Sequence, residues 1–269
     1  MQNFAVFGNP IAHSRSPEIH QLFAAQRGEQ VDYRRILAPL DGFAAEVAHF
    51  FTGGGRGANV TVPFKEQAYQ LCEVLAERAR SAGAVNTLWR QDGKLCGDNT
   101  DGIGLITDIT TNLEWSLSDT RVLILGAGGA VRGVLGPLLN ERPGSVLIAN
   151  RTRDKARDLA LIFAGRGVPV FGCGLDELRG PFDLVINAIS AGLDGTMPPL
   201  ATTLINDKSR CYDMVYGDTP FLRWANQCHA AATADGLGML VEQAAEAFYI
   251  WHGWRPDTQA VINHLRQGA

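Results

Sequence analysis

Val122-Leu123-Ile124-Leu125-Gly126-Ala127-Gly128-Gly129-Ala130 is the stretch that decides the fold. Its first four residues form a continuous apolar run, the pattern of a strand buried on both faces. The run breaks into a glycine turn, after which Val131, Val134, Leu135, Leu138 and Leu139 recur at helical spacing. A strand, a glycine turn and a helix in that order make an anion cradle. The first glycine permits the tight turn, and the second lets the backbone approach a pyrophosphate. That group then rests on amide donors at the helix N-terminus. Position 131 is Val, where the full dinucleotide fingerprint has Gly or Ala. A bare glycine turn between a strand and a helix is also common as plain structure.

The next segment adds charge to the argument. Ser145-Val146-Leu147-Ile148-Ala149 reads as the second parallel strand, about 20 residues on, where a ribose-reading side chain is expected. An NAD site places Asp or Glu there to bind the 2′-hydroxyl. This chain has Asn150-Arg151-Thr152-Arg153 and then Lys155, with Asp154 offsetting part of the charge. Guanidinium groups suit a 2′-phosphate because they offer planar, bidentate donors with a permanent charge. The bland alternative is an ordinary solvated helix start. The loop favours NADP over NAD.

Composition bounds the remaining classes. The 269 residues are enough for two domains with separate cores, and 46% hydrophobic with 19% charged residues is a globular balance. A net charge of -4 gives no electrostatic reason to expect nucleic acid or an anionic membrane. Phe4-Ala5-Val6-Phe7 is too short for a signal-peptide core, and no apolar run approaches the ~20 residues of a membrane span. Five widely spaced cysteines without C-x-x-C fit reduced thiols in a cytoplasm. Glu46 and His49 lie on an apolar helical stretch with no partner ligands nearby in sequence, so no metal is expected.

Strand-like and helix-like segments alternate along the chain. Phe4 to Phe7, Val31 to Leu37, Ala58 to Val62 and Ala84 to Trp89 read as strands, with helices starting near Pro17, Asp41 and Lys65. Such alternation implies a largely parallel sheet covered by helices. A second unit starts near residue 102, with strands at 121–125, 145–149, near 168–171, 183–188 and 210–215. Leu237, Leu240, Val241, Ala244, Ala245, Phe248 and Trp251 then share one apolar helical face. Gly253 and Pro256 end that helix before a last one carrying Val261, Ile262 and Leu265. The expected architecture is α/β with two α/β domains. Residues 1–101 plus 236–269 form a substrate domain with a mainly parallel sheet, residues 102–235 a Rossmann-like NADP domain, and a cleft lies between them.

Polar motifs gather in the N-terminal third, at segment ends that core packing does not explain. Asn9-Pro10-Ile11-Ala12-His13-Ser14-Arg15-Ser16-Pro17 follows the first strand. Two hydroxyls there could be helix caps, or could recognise a carboxylate or polyhydroxylated ligand. Asn59-Val60-Thr61-Val62-Pro63-Phe64-Lys65 ends on a lysine entering a helix, which the helix dipole disfavours and which hints at a task beyond solubility. Gly83-Ala84-Val85-Asn86-Thr87 and Gly97-Asp98-Asn99-Thr100-Asp101-Gly102 add two more clusters, each readable singly as a turn.

In this order, together with Gly126-Ala127-Gly128-Gly129-Ala130, Asn150-Arg151-Thr152 and Asp235-Gly236-Leu237-Gly238-Met239-Leu240-Val241, these motifs closely resemble the NADP-dependent shikimate dehydrogenases over essentially the whole chain. The resemblance implies reversible reduction of 3-dehydroshikimate to shikimate, in aromatic amino-acid biosynthesis, by a cytoplasmic monomer or homodimer. It implies Ser14 and Ser16 on the substrate carboxylate, and Thr61, Asn86, Tyr216 and Gln243 as further substrate ligands. Lys65 and Asp101 match the catalytic pair. Gly126, Ala127, Gly128, Gly129, Ala130, Asn150, Arg151, Thr152, Arg153, Lys155, Met214 and Gly236 match cofactor contacts, with Glu77 a weaker match.

The pair also makes chemical sense. Hydride delivery to a ketone carbon requires a proton on the developing alkoxide, and an ammonium can supply the proton and stabilise the charge. A neighbouring carboxylate keeps the lysine charged and orients it. Three departures bear on the cofactor: Val131, Lys155 where Arg is frequent, and Asn187-Ala188-Ile189-Ser190 in place of Asn-Ala-Thr-Ser. The Lys155 departure shifts the expected 2′-phosphate clamp toward Arg151 and Arg153. Competing readings are a quinate/shikimate dehydrogenase using NAD, a weaker paralogue, and an idle NADP-binding sensor, the last opposed by the retention of Lys65 and Asp101. A methyltransferase would need an acidic ribose reader, which the second strand end lacks.

Overall fold

The computed structural model describes residues 2–189 and 197–268, so Ser190 lies outside the described residues. The chain divides into two compact units, Met1–Gly104 with Leu240–Ala269, and Leu105–Met239. The borders expected at 101/102 and 235/236 fall a few residues earlier than these. Helices Asp101–Thr107 and Leu237–His252 run across the observed ones.

The first unit contains β1 (Gln2–Gly8), α1 (Ser16–Ala25), β2 (Val31–Leu37), α2 (Phe43–Thr52), β3 (Gly55–Val60), α3 (Lys65–Leu71), β4 (Val74–Leu75), α4 (Glu77–Ala82), β5 (Thr87–Gln91) and β6 (Lys94–Asp98), and α5 (Asp101–Thr107) starts in it. Its sheet has the order β2-β1-β3-β5-β6-β4. β1 pairs in parallel with β2 and β3, and β4 in parallel with β6, whereas β5 is antiparallel to β3 and β6. The sheet is therefore mainly parallel, as expected, with β5 its one antiparallel strand. Its reversal is a two-residue hairpin at Asp92-Gly93, whose φ angles of 51° and 79° are what such a turn demands. The strand expected from Ala84 begins at Thr87, and β6 absorbs Gly97-Asp98 from what reads locally as a loop.

This topology brings the polar motifs to one edge. β1, β3 and β6 run in the same direction, so their C-terminal ends lie together, and antiparallel β5 starts at that same edge. Register places Asn59 opposite Thr87, and Thr87 opposite Asp98. Packing then fixes the segments that leave the edge. Phe64 is fully buried and stacks on Phe43, with centroids 4.6 Å apart and planes 2° from parallel. Burying that ring contributes roughly 1.5–3 kcal/mol and pins the chain one residue before Lys65, where α3 begins.

The second unit contains β7 (Arg121–Leu125), α6 (Gly129–Asn140), β8 (Ser145–Asn150), α7 (Arg153–Ile162), β9 (Val170–Gly174), β10 (Leu184–Asn187), β11 (Arg210–Asp213), α8 (Pro220–Gln227) and β12 (Ala232–Ala234). The strand order is β12-β11-β10-β7-β8-β9 and every pair is parallel. Read from β9, this is the doubly wound order 3-2-1-4-5-6, with its switch point between β7 and β10. Val131 is fully buried in the helix–sheet core, so the third fingerprint position here is filled by packing. The chain closes with α9 (Leu237–His252) and α10 (Thr258–Gln267). No helix among the described residues is long and apolar enough to cross a membrane.

The aromatic core of the first unit carries a testable electrostatic consequence. His20 on α1 is buried, stacked on Tyr33 with centroids 4.5 Å apart and flanked by Phe248 and Trp251. Burial, with the nearby His252 adding to it, lowers the His20 pKa from 6.5 to about 3. The unfolded chain therefore takes up a proton below pH 6.5 that the native protein refuses. Stability is full above that pH and falls as pH drops toward 3, by about 2 kcal/mol at pH 5. Denaturant unfolding at pH 7 and pH 5 should show this loss in the wild type and a correspondingly smaller one in His20→Phe. An equal loss in both would show that His20 does not carry it.

Candidate active site

Lys65 is the first residue of α3 and Asp101 the first residue of α5. The positive end of a helix dipole opposes the ammonium and favours the carboxylate. The two meet: Lys65 Nζ donates to Asp101 Oδ2 at 2.5 Å. The lysine side chain is 24% exposed and the aspartate 11%, so the pair is screened yet still reachable by a ligand.

Asn86 completes this cluster. Its Nδ2 donates to Asp101 Oδ1 at 2.8 Å and to Thr100 Oγ1 at 3.0 Å, while its Oδ1 accepts the Thr100 backbone N–H at 2.9 Å. Gln243 on α9 reaches the same group, with its Oε1 3.5 Å from Asn86 Nδ2 and its own Nε2 donating to Leu240 O. Thr61 follows β3, held by its backbone N–H on Phe7 O at 2.9 Å. The structure thus gathers Lys65, Asp101, Asn86 and Gln243 into one hydrogen-bonded set.

Ser14 and Ser16 lie after β1 at the same sheet edge. Ser14 Oγ donates to Ser16 Oγ at 3.2 Å and accepts the Ser16 N–H at 3.3 Å. The N-cap of α1 is Arg15, whose side chain makes no cap bond; Ser14 Oγ takes the amide of the first helical residue, whereas the Ser16 hydroxyl takes no helix amide. Arg35 Nε donates to the Ser14 carbonyl at 2.8 Å, bringing a positive charge to the serine loop. No local motif marks Arg35; only the β1–β2 pairing brings it there.

Of the expected cofactor contacts, most fall in the second unit around one pocket of 630 Å³. Gly126, Ala127 and Gly128 line it, as do Asn150, Arg151, Thr152 and Lys155. Leu175, Ile189, Met197 and Pro198 give it an apolar wall. It opens where β7 and β10 end, the switch point at which doubly wound sheets bind ligands. Gly126 has φ 109°, and a Cβ there would come within 3.2 Å of the Ala188 carbonyl, so the turn needs glycine. Gly128 caps α6 without a side chain, leaving the first amides of the helix, at Gly129 and Ala130, open to an anion. These features fit a dinucleotide with an additional phosphate.

The basic residues part company here. Arg151 and Lys155 line the pocket, whereas Arg153 is not among its lining residues and pairs with Glu177 at 3.0 Å. Glu177, which also accepts the Gly174 N–H at 2.7 Å, escapes sequence reasoning because it lies two dozen positions downstream. Met214 and Gly236 lie together, the glycine lacking room for a Cβ against the Met214 carbonyl. Tyr216 is 40% exposed on the loop after β11, in the second unit, apart in the chain's division from the other expected substrate ligands. Glu77 opens α4 in the first unit and is exposed, and it is not among the residues lining the nucleotide pocket.

A buried group that sequence reasoning missed holds the loop of Met214 and Tyr216. Asp213 accepts from Asn187 Nδ2 at 3.1 Å, from Thr219 Oγ1 at 2.6 Å and from Val215 N–H at 3.0 Å. Burial pushes its carboxyl above the usual range against the pull of those bonds. All five cysteines are unpaired, and burial pushes the Cys72 and Cys211 thiols up to about 12, so neither is a ready nucleophile. Among the described residues, no group of three or more His, Cys, Asp or Glu is placed to hold a metal ion.

Comparison with known families agrees with this arrangement along the chain. Residues 6–88 match the shikimate dehydrogenase substrate binding domain, residues 108–193 the shikimate/quinate 5-dehydrogenase model, and residues 236–266 the shikimate 5′-dehydrogenase C-terminal domain. A protein of Alcanivorax borkumensis named shikimate dehydrogenase (NADP(+)) is 62% identical over 266 residues, 98% of this chain and 96% of the relative. An Ael1 enzyme from Pseudomonas putida of known structure is 46% identical, with a TM-score of 0.91 over 98% of both chains. The shikimate 5-dehydrogenase of Thermus thermophilus, solved in complex with NADP(H) and shikimate, is 32% identical with a TM-score of 0.88 over 100% of both chains. With family models and relatives matching from one end to the other, the chain belongs to the shikimate dehydrogenase family.

Proposed function

We propose that this protein is an NADP-dependent shikimate dehydrogenase that reversibly reduces 3-dehydroshikimate to shikimate. The observation that carries the reading is the Lys65–Asp101 pair at 2.5 Å, tied to Asn86 and reachable from solvent. The first unit then supplies most of the substrate ligands and the second most of the cofactor contacts. The protein acts in the cytoplasm as a monomer or homodimer, consistent with its free thiols.

Ser14 and Ser16 hold the substrate carboxylate through their paired hydroxyls, with the Arg35 guanidinium close by. Thr61, Asn86, Gln243 and Tyr216 take the hydroxyls. The glycine turn at Gly126, Ala127 and Gly128 and the amides of Gly129 and Ala130 receive the pyrophosphate. Asn150, Arg151, Thr152 and Lys155 surround the 2′-phosphate, Arg153 stiffens that loop through Glu177, and Met214 and Gly236 border the nicotinamide end. Glu77, exposed at the start of α4, is the weakest of these assignments.

When bound, NADPH supplies the hydride that reduces the ketone carbon. Lys65 holds its ammonium beside the ketone oxygen, stabilises the growing negative charge and transfers one proton to it, leaving the secondary alcohol. Asp101 aims that ammonium through their 2.5 Å hydrogen bond, and binds a substrate hydroxyl with its remaining acceptor capacity. In the oxidative direction Lys65 is the base that takes the hydroxyl proton. Proton sharing belongs to the pair as a unit.

Steady-state assays with shikimate or quinate against NADP or NAD test the reading, and shikimate with NADP should give the highest kcat/KM. Activity highest with quinate and NAD would overturn it. Lys65→Met keeps an unbranched stem without the ammonium, so the folded variant should lose ~10²–10⁴-fold in kcat. Near-normal kcat would remove the proton-transfer role.

Arg151→Ala and Lys155→Ala should each raise KM for NADP about ten-fold or more with little change for NAD, the cost of losing a charge-assisted phosphate contact. Arg153→Ala, whose partner is Glu177, should affect the two cofactors alike. Equal effects of Arg151→Ala on both cofactors would remove the 2′-phosphate assignment.

A further inference from the structure

Behind the Lys65–Asp101–Asn86 cluster runs a row of buried polar side chains that the proposed chemistry does not use. Tyr33 on β2 donates its hydroxyl proton to Asn59 Oδ1 at 2.6 Å. Asn59, at the end of β3, donates through Nδ2 to Thr87 Oγ1 at 3.2 Å and to the Asn86 carbonyl at 3.1 Å. Thr87 Oγ1 donates to Asn86 Oδ1 at 2.9 Å, and Asn86 Nδ2 donates to Asp101 Oδ1 at 2.8 Å. Tyr33, Asn59, Thr87 and Asn86 are all buried, so water is a poor substitute for any missing partner.

The row has one direction. A hydroxyl has a single proton, and an amide has a donor end and an acceptor end. Once Tyr33 gives its proton to Asn59 Oδ1, the Asn59 NH₂ must face Thr87. The Thr87 proton is then free for Asn86 Oδ1, which also accepts the Thr100 backbone N–H, so both donors hold the Asn86 NH₂ toward Asp101. Reversing any amide would set donor against donor or acceptor against acceptor in a buried site, at a cost comparable to that of an unmade hydrogen bond.

We infer that Tyr33, Asn59 and Thr87 are positioning residues: together with the Thr100 backbone N–H they hold the orientation of the Asn86 amide, and through it the Asp101 carboxylate that aims Lys65. None of the three has to touch substrate to do so. The outer end of the row is also placed for function. His20 stacks on Tyr33, and Ser16, four residues earlier on α1, shares the helix face of His20. The Ser16 hydroxyl hydrogen-bonds the Tyr33 phenol, in opposition to the upward push of burial on its ionisation. One directed row therefore runs from the serine loop to the proton-transfer pair. Its effect on turnover rests on the reaction proposed above; its effect on Asn86 does not.

Tyr33→Phe tests the inference with little disturbance, since the ring and its stack on His20 remain and only the first proton is lost. Thr87→Val breaks the row in the middle at nearly constant volume. Each variant should lower kcat for NADP-linked shikimate oxidation about five- to ten-fold, with KM for NADP unchanged. The double variant should be no slower than the slower single one, and Thr87→Ser, which restores the hydroxyl, should recover kcat. In the ligand-free protein, the side-chain amide resonances of Asn86 should shift in Tyr33→Phe. Wild-type kcat in folded Tyr33→Phe, multiplicative losses in the double variant, or unmoved Asn86 resonances would overturn the inference. If the wild type oxidises no shikimate, the reaction is wrong, and the Asn86 resonances alone decide the role of the row.

Discussion

A cation at the start of a helix is a local fault that only a distant residue can repair, and much of the first unit is organised around that repair. Lys65 stands at the positive end of α3, and its compensating charge is Asp101, 36 residues away at the start of α5. The carboxylate is well placed at its own helix terminus, so the pair uses one dipole to offset the other. Maintaining it requires the ends of β3 and β6 and the start of β5 at a common sheet edge. The mixed strand order supplies that edge. Buried Phe64 on Phe43 fixes the approach to Lys65, and Asn86 fixes Asp101. Stability and chemistry therefore draw on the same contacts.

The second unit solves a different problem, that of holding several negative charges without burying unpaired positive ones. Backbone amides at the glycine turn carry no net charge and cost little when the pocket is empty. The cationic side chains stay exposed between the end of β8 and the first turn of α7, where water solvates them. Glu177 neutralises Arg153 but leaves Arg151 and Lys155 lining the pocket. Fewer cationic side chains line the pocket than the density of arginines in the sequence suggests, and Lys155 is one of them.

Features with a local cause were legible in the sequence. The apolar run ending at Leu125, the glycine turn and the periodic helix after it fix strand, turn and helix through nearest neighbours, and the doubly wound sheet follows. The awkward placement of Lys65 hinted at a task beyond solubility, and the resemblance of the polar motifs named Asp101 as its partner. The hairpin at Asp92-Gly93 was available as a turn signal, and the one antiparallel strand it produces, β5, sits within the largely parallel sheet that the alternating pattern suggested. Pairings across long stretches of chain had no such trace. Arg153 with Glu177, Arg35 with Ser14, and Tyr33 with Asn59 arise from sheet order and packing, which periodicity does not encode. Asp213 likewise gives no local sign that it will be buried as the acceptor of three groups.

The central claim is that Lys65 and Asp101 act as one unit, and a double-mutant cycle on kcat measures that directly. The cycle compares wild type, Lys65→Met, Asp101→Asn and the double variant in shikimate oxidation with saturating NADP. Each protein is first shown to be folded by circular dichroism. If the carboxylate works through the ammonium, removing both groups should be about as costly as removing the more important one, with a coupling on the order of 0.5–3 kcal/mol or more. Losses that multiply independently would contradict the account and return Lys65 and Asp101 to separate roles.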